Sequence, residues 1–400
     1  MRLALISQTY PPMVSGVSVA VGHLSQRLAA RGHAVLVLAA SDRGDPYQDV
    51  IGGAQVIRLR SRPTPMRVGQ RWCWWHKHDL HQWLEVFRAD LVHLHDPALG
   101  AFLVPDVVHT MGLPLVITAH ALPINLVHIV HAPPRLRRWI ESTLWHMAAR
   151  RLARFDAVVA PSEYAAASYA RHAGGRPIAI SNGVDLQRFH PGSGSAEERA
   201  SLAGRFGVDS DRPVILHVGR LDREKDVDVV IRAAARAMGQ VDAQLLVVGD
   251  GNDRARLMGL ARALGIGDRT HFPGYLGQED IPLANRLAMV FAISSRIEAE
   301  GIVVLEAAAS GLPIVAVRAT SMPELVERTG CGHLVEPGDD QGMADRLVNL
   351  MRNPSQRERL KQASLAMARQ HSYELTLDQH EALYRRLIGN ALPSPTPAAG

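Results

Sequence analysis

The sequence predicts an α/β protein made of two doubly wound, mostly parallel domains in succession. Three observations carry that expectation. The chain has 400 residues, more than one hydrophobic core usually organises. Short β-branched runs alternate with longer helical stretches, the pattern of parallel strands joined through helices. A run of turn formers, His190-Pro-Gly-Ser-Gly-Ser195, interrupts the alternation near the middle.

In the first half the expected strands are the apolar runs Leu3–Ser7, Ala34–Ala39, Val56–Leu59, Leu91–His95, Leu115–Ala119, Ala157–Ala160 and Ile178–Ile180. Each is too short for a helix and nearly continuous in apolar side chains, as a strand covered on both faces requires. Helices are expected between them, among others over Val17–Arg31, Ala98–Met111 and Leu136–Arg154. The second half repeats the rhythm with Val214–Val218, Gln244–Val248, Thr270–Phe272, Val290–Ile293 and Ile314–Val317. The domains are therefore placed at 1–190 and 191–371, with residues 391–400 a Pro-, Ser- and Ala-rich tail expected to be disordered. Ligands of such sheets bind at the carboxyl ends of the strands, so two facing domains would form one cleft.

Composition excludes several classes. At 47% hydrophobic and 21% charged residues, disorder, collagen and coiled coil are ruled out. Two cysteines, Cys73 and Cys331, are too few for a disulfide scaffold or zinc ribbon. No long uncharged apolar stretch and no signal-peptide pattern occur, so a cytoplasmic chain is expected. The net charge of +5 is unevenly spread: residues 1–180 hold 19 Lys/Arg against 11 Asp/Glu, and all six tryptophans lie between 72 and 145. The basic excess is modest and no nucleic-acid motif appears, so no nucleic-acid partner is expected.

The chemistry-bearing residues fall at strand-to-helix turns. In Ser294-Ser-Arg-Ile-Glu298-Ala-Glu-Gly301-Ile302-Val303-Val-Leu-Glu306 a strand ends, a polar turn follows and an apolar helix begins. Its free N–H groups and positive dipole end favour phosphate or a sugar hydroxyl, and Gly301 lets the backbone come close. In His217-Val-Gly219-Arg220-Leu-Asp-Arg-Glu-Lys225-Asp226 a strand runs into a glycine turn with two cations five residues apart. That pair suits a diphosphate, and Asp226 is placed to cap the next helix. Gly16 sits at the first strand-to-helix turn without a G-x-G-x-x-G pattern, and His120 lies at the end of another buried run. No His/Cys/Asp/Glu cluster has metal-ligand spacing, so no metal is expected.

Four motifs in order, from the Pro12-to-Gly16 turn through Ser181-Asn182-Gly183-Val184-Asp185-x2-Arg188-Phe189 and Gly219-Arg220-x4-Lys225 to Glu298-x7-Glu306, resemble those of retaining glycosyltransferases of the GT4 type. The resemblance runs from residue 1 to about 388. It implies the GT-B architecture: two facing Rossmann-like domains, an acceptor-binding one first and a sugar-nucleotide-binding one second, with a last helix, about 372–388, packing back on the first. By that resemblance Arg220 and Lys225 hold the donor diphosphate beside Gly219. Glu298, with the backbone of Gly301, Ile302 and Val303, holds the hexose, and Glu306 binds the ribose. His120 lies beside the sugar, and Gly16 lets the first loop approach the phosphates. The catalytic set it implies is His120, Arg220, Lys225 and Glu298, with no metal and no cofactor beyond the sugar-nucleotide substrate.

The combination Val14-Ser-Gly-Val17, Ala121-Leu-Pro-x-Asn125 and an acid at Glu300 is similar to a branch with diacylglycerol glucosyltransferases and phosphatidylinositol mannosyltransferases. It implies a glycerolipid or phosphoinositide acceptor drawn from an anionic membrane, on whose inner face the enzyme would sit peripherally. On a helical wheel Trp72, Trp75, Leu80, Trp83, Leu84 and Phe87 share one arc, with Lys77 on the other side; Trp72, Trp75, Lys77, Trp83 and Asn125 are thus the expected membrane or acceptor residues. Competing expectations are transfer to a soluble sugar, polyol or polysaccharide precursor, a 2-epimerase or phosphorylase, and a non-catalytic sugar-nucleotide binder. The sequence leaves open the donor's base and hexose and the oligomeric state.

Overall fold

The computed structural model describes residues 1–391 except 14, 65–70, 96–99, 124–132 and 194. The chain divides into two compact units, Met1–Ser181 with Glu374 onward, and Asn182–Tyr373.

The first unit is built on an eight-stranded sheet. Its strands lie in the order Ile178–Ala179, Ala157–Ala160, Leu115–Thr118, Leu91–Leu94, Arg2–Ser7, Ala34–Ala40, Ala54–Leu59 and Tyr47–Ile51. All pairs are parallel except the last, in which Tyr47–Ile51 runs antiparallel. Alternation along each strand splits the core in two. Ile6, Leu38, Leu94 and Ile117 face one layer, which contains Leu80, Leu84 and Val108. Leu5, Val37 and Val116 face the other, which contains Val21 and Leu28 of the helix Gly16–Ala30 and Leu377, Leu383 and Tyr384 of the helix Tyr373–Ala391. The last helix is thus part of the first unit's core although the second unit precedes it in sequence. Arg31 reinforces it with ion pairs to Glu374 and Asp378, both at 2.6 Å.

The second unit holds a six-stranded parallel sheet in the order Thr270–Gly274, Gln244–Val248, Val214–Val218, Val290–Ile293, Ile314–Val317 and Gly332–Val335. Ile215 lies opposite both Leu245 and Val290, and Phe291 opposite Ile314, so the two central strands end side by side. Apolar helices cover both faces.

Two sequence expectations are corrected. The unit boundary falls at Ser181–Asn182, before 190, because burial decides it: Ile180 packs in the first core, while Val184 and Phe189 are buried in the second. The turn formers at 190–193 lie inside the second unit, and the side chain of Ser195 caps the helix Ala196–Phe206. The expected tail lies outside the described residues beyond 391.

The arc from Trp72 to Phe87 is not one helix. Trp72 lies on a short strand, Arg71–Cys73, paired with Ser61–Pro63, and the helix begins only at Lys77. Leu80, Leu84 and Phe87 are core residues, and Trp75 and Trp83 pack against that core. The apolar face of this helix covers the sheet, as most amphipathic helices do. Lys77 pairs with Asp106 at 2.8 Å.

A Leu84→Ala substitution should therefore lower stability by about 2–5 kcal/mol, whereas Val86→Ala, two residues on and 71% exposed, should stay within about 0.5 kcal/mol of wild type. Denaturant unfolding followed by tryptophan fluorescence distinguishes them, since all six tryptophans belong to the first unit.

Candidate functional site

Both chemistry-bearing turns of the second unit lie at the carboxyl ends of neighbouring central strands, Val214–Val218 and Val290–Ile293. The polar groups gather there because apolar helices occupy both sheet faces. The buried Ser294 stitches the two turns together: its hydroxyl donates to the backbone oxygen of Asp226 at 2.7 Å and lies 3.1 Å from that of Lys225. Beside it, Lys225 Nζ donates to Glu298 Oε1 at 2.7 Å and reaches Ser295 Oγ at 3.3 Å. Arg220 is held within its own loop by the carboxylates of Asp222 and Glu224. The expectation that Asp226 caps the following helix is corrected. It occupies the cap position with φ 48°, but its carboxylate instead accepts a bond from Arg296 Nε at 2.5 Å.

The Glu298 loop is fixed from below. The Glu298 amide donates to Thr320 Oγ1 at 3.0 Å, and Ser321 Oγ donates to the carbonyl oxygen of Glu300 at 2.8 Å. Glu300 is 2% exposed, and its carboxylate accepts from the backbone amide of Asn182 at 3.1 Å and its side-chain amide at 2.6 Å. Gly301 then turns the chain with φ 100°, a conformation costly for any residue with a Cβ, and a Cβ there would stand 2.8 Å from Met322 Cε. The helix Ile302–Ala309 starts without a side-chain cap, so the first-turn amides of Ile302 and Val303 have no helical carbonyl partner.

Glu306 lies just over one turn inside that helix. It is half-buried, and loss of hydration pushes its carboxyl up to about 7, against the pull of the Arg188 guanidinium. No local sequence signal assigns Arg188 a role; only the fold brings its charge to Glu306.

In the first unit, Gly16 opens the helix Gly16–Ala30, with Ser15 capping through its hydroxyl to the Ser18 amide at 3.0 Å. A Cβ at Gly16 would meet nothing within 4 Å, so the packing of the chain does not itself demand glycine there. The loop before it is pinned by Arg58, a wholly buried cation that sequence reasoning missed. Its guanidinium donates to the carbonyl oxygens of Pro11 and Ala40. His120 stands just past the strand Leu115–Thr118, its Nε2 3.0 Å from His95 Nδ1, and burial lowers it to about 4. Asn125 lies outside the described residues. Among the described residues no group of three or more His, Cys, Asp or Glu could hold a metal, and no helix is long and apolar enough to cross a membrane.

Residues 14–188 match the family described as Glycosyltransferase Family 4, and residues 199–367 match Glycosyl transferases group 1. A D-inositol 3-phosphate glycosyltransferase of Saccharomonospora viridis is 30% identical over 97% of this chain and 94% of its own length. This chain belongs to the GT4-type glycosyltransferases. An alpha-monoglucosyldiacylglycerol synthase of Streptococcus pneumoniae is 26% identical over 79% of this chain and 71% of its own. The crystal structure of Anabaena HepE in complex with UDP superposes with a TM-score of 0.76 at 20% identity, covering 96% of this chain and all of that one, and shows the shared GT-B fold. The glycosyltransferase therefore has the two-domain α/β architecture of its family, and its catalytic class is that of an enzyme.

The raised carboxyl of Glu306 gives a pH signature. A free glutamate ionises near 4.5, this one near 7, so the stability its burial permits is full below about 4.5 and lost as pH rises through 7. Glu306→Gln, which cannot ionise, should gain stability over wild type by up to about 3 kcal/mol at pH 8 and show no gain at pH 4, read by denaturant unfolding at both values.

Proposed function

We propose that this glycosyltransferase moves a hexose from a nucleotide-diphosphate sugar, with retention of anomeric configuration, to a glycerolipid or phosphoinositide at a membrane surface. The observation that carries the donor half is the Lys225–Glu298 pair at 2.7 Å beside the uncapped start of the helix Ile302–Ala309, with Glu306 one turn further in. Cations, oriented amides and two carboxylates gathered at the ends of adjacent strands fit a diphosphate flanked by two sugars. Arg220 and Lys225 exchange their present carboxylate partners for the diphosphate and stabilise its charge as the bond from C1 to the phosphate oxygen breaks. Glu298 and the amides of Gly301, Ile302 and Val303 hold the hexose, and ionised Glu306 accepts the ribose hydroxyls. The acceptor oxygen bonds to C1 on the face the phosphate leaves, and its proton passes to the leaving phosphate. By the motif resemblance alone, His120 is assigned to the hexose and Gly16 to the phosphates. The second unit binds donor and the first acceptor. That the HepE structure carries UDP supports the donor assignment.

Two features support a lipid acceptor: the diacylglycerol in the name of the pneumococcal relative and the surface of the first unit. The membrane-facing residues differ from those the sequence indicated. On the helix Pro134–Leu152, Leu136, Trp139 and Met147 share one arc, all exposed, with Trp139 65% accessible; Arg150 is exposed on that arc and Arg135 beside it. Trp74 is 60% exposed with Arg62 6.0 Å from its ring centre, at a cavity of about 720 Å³ also lined by Leu59, Arg60 and Trp83. Exposed Trp among arginines is how a peripheral protein meets anionic lipid. A phosphorylated polyol is the second reading, favoured by the relative matched over 97% of the chain.

Hydrolysis and transfer assays with a panel of sugar nucleotides, with lipid extract or inositol phosphate as acceptor, test both readings. Lys225→Ala and Glu306→Gln should each lower turnover at least about tenfold, in line with the roughly 2–4 kcal/mol that a lost charge-stabilising contact costs. Activity should persist in excess EDTA. Wild-type rates in both variants would remove the donor-site assignment.

In vesicle co-sedimentation, wild type should pellet with anionic vesicles at low salt and be released at high salt, where screening falls to about 3 Å at 1 M. Trp139→Ala combined with Arg135→Ala should bind at least about fivefold more weakly, given roughly 1 kcal/mol per basic residue at the surface. Wild type left in the supernatant would favour the polyol acceptor.

A further inference from the structure

The carboxyl ends of the strands Leu91–Leu94 and Leu115–Thr118 carry a buried chain of imidazoles. His93 is fully satisfied: Nδ1 lies 2.7 Å from the Tyr384 hydroxyl and Nε2 2.7 Å from Thr118 Oγ1. The His95 ring lies 4.0 Å from that of His93 and stacks on His120 with centroids 5.3 Å apart and planes 25° apart. His380, from the last helix, faces His93 at 5.5 Å. Burial holds all four imidazoles neutral, so each carries one ring proton.

One hydrogen bond joins His95 Nδ1 to His120 Nε2, and two proton arrangements could make it. In the first, His95 Nδ1–H donates to a bare His120 Nε2, so the His120 proton must sit on Nδ1. In the second, His120 Nε2–H donates, so His95 must carry its proton on Nε2. That His95 nitrogen is buried and has no hydrogen-bond partner among the described residues. The second arrangement therefore strands a buried N–H, whereas the first leaves only an unused acceptor. Buried donors without an acceptor are the rarer defect in folded proteins.

We propose that His95 is a positioning residue that locks His120 as its Nδ1–H tautomer, so that the half-buried His120 ring offers a hydrogen-bond donor at its remaining edge. The functional part rests on the reading above that His120 touches the donor hexose. His120 then donates to a sugar oxygen, and its free edge carries no basic lone pair. Deprotonation of the acceptor falls to the leaving phosphate, whose proton-accepting role needs no base from His120.

Long-range 1H–15N spectra of histidine-labelled wild type at neutral pH read the tautomer directly, without donor. The expected result is His120 protonated at Nδ1 and accepting at Nε2; His120 protonated at Nε2 overturns the proposal. His95→Asn keeps an amide donor near the place of Nδ1, and His95→Leu removes it. The Asn variant should hold the wild-type tautomer and turnover within about threefold, while the Leu variant should show mixed tautomers and lose at least about tenfold in kcat, the scale of a mispositioned contact. A wild-type tautomer in His95→Leu, or equal spectra for the two variants, overturns the positioning role. If the tautomers behave as expected yet His120→Ala turns over at the wild-type rate, the contact of His120 with the sugar is what fails. If the Leu variant does not fold, the wild-type spectrum and the Asn variant still decide the matter.

Discussion

A parallel sheet covered by helices on both faces leaves polar chemistry only one place to go, the ends of its strands. Here the constraint acts twice. Both faces of the strands Val214–Val218 and Val290–Ile293 are buried in apolar cores, and their carboxyl ends carry Arg220, Lys225 and Glu298. The strands Leu91–Leu94 and Leu115–Thr118 are sealed in the same way, and His95 and His120 follow at their ends. The parallel register that aligns Ile215 with Val290 brings the two turns close enough for Ser294 to reach the backbone oxygen of Asp226 and for Lys225 to reach Glu298.

Two buried polar side chains, Arg58 and Glu300, hold the loops that flank these sites. Arg58 spends its donors on the carbonyl oxygens of Pro11 and Ala40, fixing the loop that leads to Gly16. Glu300 accepts from the backbone and side chain of Asn182, next to the turn at Gly301. Hydrogen bonds to a buried charge are what make its burial tolerable, and removing one partner leaves the charge exposed to a low dielectric. Each loop is thus anchored from beneath by hydrogen bonds to a buried side chain. The same economy appears at His93, where a hydroxyl on either side satisfies a neutral ring.

Much of the fold was legible because strand burial writes itself into local composition. The runs at Leu3, Leu91, Leu115, Val214 and Val290 all became central strands. Tyr47–Ile51 and Gly332–Val335 were not found: the first is a largely exposed edge without apolar continuity, and the second begins with glycine and contains a histidine. Glu298, Gly301 and Glu306 stand out through spacing across one turn and one helix, which is local information. Arg58, Arg188, Thr320 and His95 were assigned no role, although His93 and His95, two apart at a strand end, offered a signal of a shared face.

By itself the sequence determined the α/β class, the order of its strands along the chain, and the turns where chemistry gathers. Those depend on residues close together in the chain. Tertiary structure decided what depends on distant partners. It placed the unit boundary by burying Val184 and Phe189 with the second core and Ile180 with the first. It turned Leu80, Leu84 and Phe87 inward and left Trp139 outward. It gave Lys225 to Glu298, 73 residues away, and His95 to His120. An amphipathic pattern records that a face is apolar, and only the packed fold determines what that face meets.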